Sequence, residues 1–172
     1  KSSENYRLFK LFSLNKDMFR DNNFSKTLPA VQASQANEIL KDSYNLGFLG
    51  LTEPVAELEL EKRLIEKIKI FMLELGKGFA YIGNQFRIEY NGKEYFVDLL
   101  FSNRKLNCLV AIDLKIGEFK SEYVGKMNMY LSLLDKLEKE ETENQSIGII
   151  LCAEKDHLDV ELALQDINKP IA

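Results

Sequence analysis

The chain has 172 residues, 45% of them hydrophobic and 29% charged, with a net charge of −4. That length suits one domain with a full core, or a domain carrying a helical arm. The acidic balance speaks against a broad basic surface for nucleic acid, although carboxylates gathered around bound cations reverse the sign locally. The apolar runs are too short to cross a bilayer and no signal peptide opens the chain, so a cytoplasmic protein with no membrane partner is expected. The first residue is Lys1 rather than Met, which suits a piece of a longer protein.

Residues 1–50 show little periodicity. Tyr6, Leu8, Phe9, Leu11 and Phe12 form an apolar cluster of mixed spacing, and Gln32 to Asp42 has a helix-compatible composition. Gly47 and Gly50 bracket a stop. The region reads as a partial helical arm and link, 1–52, ahead of a core domain, 53–172. Thr52-Glu53-Pro54 opens a helix, with Pro54 tolerated in the first turn and acids favoured by the dipole. Leu60, Leu64, Ile65, Ile68, Phe71, Met72 and Leu75 recur at helical spacing until Gly76 and Gly78. Glu61 falls inside that apolar stripe, whereas Glu66 points away from its centre. An acid on a buried stripe needs a partner or a metal.

Phe79 to Ile82 and Gln85 to Tyr90 read as one strand or two short ones. Asn91-Gly92 signals a tight turn into a strand over Glu94 to Phe101. Ser102 to Asn107 forms a loop and Cys108 to Ile116 a third strand. Glu118 to Leu137 carries Tyr123, Met127, Tyr130, Leu131 and Leu134 at helical spacing. Ile147 to Cys152 is a fully apolar run, as in a central strand. Asp159 to Ile167 is helical, with Pro170 after it. The order is helix, three strands, helix, strand, helix: an α/β sandwich on a mixed sheet. Cys108 and Cys152, each inside an apolar run, read as buried free thiols. With His157 as the one histidine, they lack the spacing of a zinc site. His157 reads as a solvated residue in a loop or at a helix start.

Chemistry concentrates at Asp98 and at Asp113-Leu114-Lys115. Centring the second hairpin on Arg104-Lys105 makes positions summing to 209 opposite, so Asp98 faces Ala111 and lies diagonal to Asp113. Asp98, Ala111, Asp113 and Lys115 then share a face, and Val97, Leu99, Val110, Ile112 and Leu114 line the other. Two carboxylates there can share a hard divalent cation such as Mg²⁺, which is often held by one or two carboxylates, water and substrate phosphate. Such a cation activates water and stabilises transition-state charge. Lys115 can orient the water or neutralise the phosphorane. Arg104 and Lys105 are placed to meet backbone phosphates, and Lys120 and Lys126 add local basic charge. A structural alternative takes the acids as surface ion pairs with Lys115 and Lys126, each contributing about 0–1 kcal/mol.

Val97-Asp98 and Asp113-Leu114-Lys115 also fit the PD-(D/E)XK nuclease signature in its Asp-x-Lys form, with Val in place of Pro. The blocks LELGKGFAYIGNQ, YFVDLLF, CLVAIDLKIGEFK, GKMNMYL and SIGIILCAEKD resemble the YhcG-type family of bacterial PD-(D/E)XK nuclease-domain proteins. The resemblance covers roughly residues 38–170. It implies a restriction-endonuclease-like α-β-β-β-α-β core and Mg²⁺-dependent cleavage of DNA, with Mn²⁺ as a substitute. It places metal-binding acids on Asp98 and Asp113, adds the Leu114 backbone carbonyl and the helix acid Glu61 as further ligands, and makes Lys115 the catalytic lysine. Many relatives carry Gln-x-x-x-Tyr on the second core helix. Here Lys126 stands for the glutamine and Tyr130 is kept, so Lys126 and Tyr130 join the nucleic-acid-binding set. The chain stops at NKPIA, where the family continues into another strand. DNA is the expected partner, a homodimer stays open and no organic cofactor is expected. The expected function is a metal-dependent DNA endonuclease in bacterial DNA processing or defence. The alternative is a non-catalytic binding module that keeps the fold.

Overall fold

A computed structural model describes residues 21–51 and 55–172. The apolar cluster from Tyr6 to Phe12 and the expected helix start at Thr52, Glu53 and Pro54 lie outside the described residues. The helices are α1 (Phe24–Thr27), α2 (Ala30–Ile39), α3 (Glu57–Glu66), α4 (Ile68–Leu75), α5 (Glu122–Leu137) and α6 (His157–Leu164). The strands are β1 (Phe79–Tyr90), β2 (Lys93–Asn103), β3 (Cys108–Leu114) and β4 (Ile147–Leu151). They form one mixed sheet in the order β1-β2-β3-β4. The first three are antiparallel neighbours, and β4 runs parallel to β3. A parallel neighbour needs a crossover, which α5 supplies. The α/β expectation therefore holds.

Two apolar layers sandwich the sheet. Leu60, Leu64, Phe71 and Leu75 of α3 and α4 pack with Leu99, Phe101, Val110, Ile112 and Leu114 on one face. Val124, Met127, Tyr130, Leu131 and Leu134 of α5 pack with Leu100, Leu109, Ala111 and Ile150 on the other. All of β3 and β4 is buried, as unbroken apolar runs covered on both faces require. Asn91 and Gly92 at φ 52° and 72° make the tight hairpin that Asn-Gly favours.

Several boundaries differ from the expectation. The single helix expected up to Leu75 is broken at Lys67 (φ −113°, ψ 34°) into α3 and α4. No Pro or Gly marks that break; the Lys67 ammonium instead donates to the Phe48 carbonyl at 2.8 Å. The second hairpin pairs Asn103 with Cys108 and Leu99 with Ile112, a register sum of 211 rather than 209. The turn is two residues longer because Asn103 Oδ1 accepts from the Lys105 and Leu106 amides, at 3.0 Å each. Val97 packs in the α5 layer, not beside Leu99. By that point β2 has parted from β3, and a two-stranded ribbon twists strongly. His157 is not free in solvent: it opens α6 with Nδ1 2.6 Å from Asp21 Oδ1, and Lys155 is 2.8 Å from Oδ2. Pro170 to Ala172 run along the free edge of β4, where Gly148 donates to Pro170 O at 2.9 Å and Ile150 to Ala172 O at 2.8 Å.

Gly148 tests how closely α5 lies on β4. A Cβ there would stand 2.5 Å from Met127 Cγ and 2.6 Å from Sδ, whereas one at Gly125 in α5 meets nothing within 4 Å. Gly148→Ala should therefore cost about 1–3 kcal/mol through overpacking. Gly125→Ala should stabilise by roughly 0.5–1 kcal/mol through helix propensity. Urea unfolding of the two variants checks both signs.

Candidate active site

The β2–β3 ladder ends at Leu99↔Ile112. One step further the backbones separate, and the Asp98 side chain takes over: the Leu114 amide donates to Asp98 Oδ2 at 2.9 Å. With the register sum of 211, Asp98 stands directly across from Asp113 rather than diagonal to it. Both sums are odd, so the shared face survives the shift. Asp113 is 2% exposed, and both its oxygens are buried without a hydrogen-bond donor. Lys115 Nζ lies 3.7 Å from its Oδ2. Burial, then the closeness of the Asp98 carboxyl and its charge, push the Asp113 carboxyl up to about 7, against the pull of Lys115 and Lys126. The Asp113–Lys115 pair of the structural alternative is present but is not a surface pair: Asp113 is in the core and the Lys115 side chain is 10% exposed.

Glu61 approaches Asp98 from α3. It is buried, while Glu66 is exposed, as the stripe requires. Glu61 Oε2 accepts from Gln85 Nε2 at 2.5 Å and Oε1 from Asn84 Nδ2 at 3.3 Å. Gln85 Nε2 also stands 3.3 Å from Asp98 Oδ1. Burial raises the Glu61 carboxyl above its usual range and the Asp98 charge adds to this, against the two amide donors. One turn before Glu61, Glu57 Oε2 lies 3.7 Å from Lys115 Nζ, and that ammonium sits 5.0 Å from the centre of the Tyr123 ring.

Sequence reasoning missed Gln85, Asn84, Glu57 and Tyr123. The break in apolar pattern at Asn84-Gln85 was the visible signal for the first two. Glu57 stood four residues before Glu61, a spacing that shares a helix face, and Tyr123 read as core.

Of the basic set, Lys126 is near the acids. Burial lowers its pKa, but the Tyr130 hydroxyl and the charges of Asp113 and Asp98 outweigh this and raise it. Its ammonium lies 5.5 Å from the Tyr130 ring centre, and Tyr130 itself is a buried core aromatic. Lys120 is exposed in the loop before α5. Arg104 and Lys105 occupy the β2–β3 turn, about five residues and on the order of 17 Å along the ladder from the acids. The fold does not bring them to the acid cluster.

Among the described residues, no three His, Cys, Asp or Glu side chains form a ready-made metal cluster. The donor set nonetheless suits a hard cation. Asp113 presents two buried oxygens with no donor, Asp98 faces it, and such ions often take only one or two carboxylates. A mixed sheet in the order β1-β2-β3-β4, with β4 parallel to β3 and helical layers on both faces, is the architecture of a restriction-endonuclease-like domain.

The chain belongs to the family described as the YhcG PDDEXK nuclease domain, whose model matches residues 37–172. It is 39% identical over 136 residues to "Putative nuclease YhcG" of Escherichia coli (strain K12), a stretch that is 79% of this chain and 36% of that protein's length. Among solved structures, the complex titled EndoMS-dsDNA2 aligns over 69% of this chain and 44% of its own, at 16% identity and a TM-score of 0.50. A repair endonuclease from Pyrococcus abyssi aligns over 66% and 44%, at 18% identity and a TM-score of 0.47. No helix among the described residues is long and apolar enough to cross a membrane.

The Asp113 shift has a stability consequence with a definite sign. Its folded-state pKa lies above the unfolded value of 3.8. Its contribution is therefore fully present below about pH 4 and is lost as pH rises through about 7. In chelator-treated protein, Asp113→Asn should raise the melting temperature at pH 8 by a few degrees and much less at pH 5. A gain of equal size at both pH values would show that Asp113 is not held neutral in the native state.

Proposed function

We propose that this domain hydrolyses DNA phosphodiester bonds with the help of a divalent cation, Mg²⁺ or Mn²⁺, in bacterial DNA processing or defence. The observation that carries the reading is the Asp113 carboxylate, buried without a donor and faced by Asp98. A carboxylate in that setting needs a cation or a proton. Asp98, Asp113, Glu61 and the Leu114 carbonyl would hold the metal. When bound, it would supply Lewis-acid charge to the phosphate and lower the pKa of a nearby water.

The chain's own groups do the rest. Lys115 is held between Asp113 and Glu57, with its ammonium on the Tyr123 ring. From there it can donate to the attacking water or to a non-bridging phosphate oxygen. Lys126, supported by Tyr130, offers a second positive charge toward the backbone phosphate. Lys120 extends that charge along the loop before α5. Arg104 and Lys105, at the far end of the hairpin, would touch phosphates away from the scissile bond. Contacts of this kind position a strand without reading its sequence. A neighbour of the same fold is titled as a complex with double-stranded DNA, which supports DNA as the substrate class.

Plasmid, linear, branched and single-stranded DNA incubated with Mg²⁺ or Mn²⁺ test the proposal. Cleavage of at least one substrate is expected, abolished by chelator and reduced at least about 100-fold by Asp113→Ala or Lys115→Ala. Binding without cleavage on every substrate would favour the non-catalytic module. Cleavage that survives both substitutions would place the site elsewhere.

A further inference from the structure

Gln85 stands mid-strand at φ 43°, between the pairs Asn84↔Leu99 and Phe86↔Val97. A positive φ is uncommon for a residue with a side chain and costs of order 1 kcal/mol or more. The side chain is exposed, so packing does not call for it. Its amide does something specific: Nε2 lies 2.5 Å from Glu61 Oε2 and 3.3 Å from Asp98 Oδ1. Both partners are carboxylates that only accept when ionised, which fixes the nitrogen as the atom facing them. The left-handed backbone lets a strand residue aim its amide between a helix acid and the acid of the next strand.

We infer that Gln85 is a positioning residue for the cation site, joining Glu61 of α3 to Asp98 of β2 and fixing their separation before a metal arrives. This inference rests on the divalent-cation reading above and adds to it a residue outside the ligand set. Two acids from separate elements repel each other, and each has rotamers that lead into solvent. One neutral donor shared between them holds the two side chains at a set separation and satisfies one oxygen of each, leaving lone pairs for a metal. Asn84 completes the arrangement by donating to the other Glu61 oxygen, and the Leu114 amide does the same for Asp98. Groups that orient metal ligands in this way are typically worth about 10–100-fold in metal affinity.

The test is calorimetric titration of Mn²⁺ into the wild-type protein, Gln85→Met and Gln85→Asn, with metal-free melting curves for each and DNA cleavage measured against Mn²⁺ concentration. Gln85→Met keeps the length and removes both donors. It should weaken Mn²⁺ binding by about 10–100-fold and raise the half-saturating Mn²⁺ for cleavage, while kcat at saturating metal stays near wild type. A merely structural role would lower the melting temperature without that shift. Gln85→Asn suits the left-handed backbone but is one carbon too short to span the two acids, so it should bind Mn²⁺ as weakly as Gln85→Met. Wild-type Mn²⁺ affinity in both variants overturns the inference and leaves the cation reading standing. Wild-type affinity in Gln85→Asn alone overturns it in favour of a backbone role. A wild-type protein that binds no Mn²⁺ overturns the cation reading and the inference with it.

Discussion

Asp113 brings a carboxylate into a strand that is shielded on both faces and gives its oxygens no hydrogen-bond donor. Burying an uncompensated charge costs far more than most single contacts return, so this side chain must be protonated, paired or bound to a cation. Lys115 and Lys126 favour the ionised form, yet burial and the facing Asp98 prevail and push the carboxyl up to about 7. The neighbouring groups supply less positive charge than the acids need. Under the proposed function a divalent cation makes up the difference, and phosphate chemistry uses such a cation for other reasons too.

The fold creates that deficit at a defined place. The antiparallel ladder of β2 and β3 stops at Leu99↔Ile112, and the Asp98 side chain satisfies the next amide, that of Leu114. The same interaction that ends the ladder therefore sets one acid against the other. At the fork, groups from both helical layers can enter. Glu57 and Glu61 come from α3, and Tyr123 and Lys126 from α5. The two-stranded continuation of β1 and β2 twists away, carrying Val97 into the α5 layer and leaving Gln85 at the rim.

Much of this is legible in the sequence. Apolar periodicity located the core elements to within a few residues, and the stripe argument separated Glu61 from Glu66. Strand parity put Asp98 and Asp113 on one face even though the assumed register was off by two, because an even shift preserves the face. Other features depend on tertiary structure. The longer turn arises from the Asn103 side chain capping Lys105 and Leu106, which spacing does not reveal. The left-handed Gln85 has no Gly to announce it, and the helix break at Lys67 has no Pro. The basic residues Arg104 and Lys105 looked close to the acids in sequence, but a hairpin carries its turn away from its open end. The blocks that suggested the family at roughly 38–170 coincide with the 37–172 match.

The most direct test of the account is where Mn²⁺ goes in a crystal of this protein. Anomalous scattering from crystals grown with excess Mn²⁺ should show a peak within about 2.3 Å of an Asp113 oxygen and in reach of Asp98. An ordered Asp113 with no metal beside it, in crystals that bind Mn²⁺ elsewhere, would contradict the account.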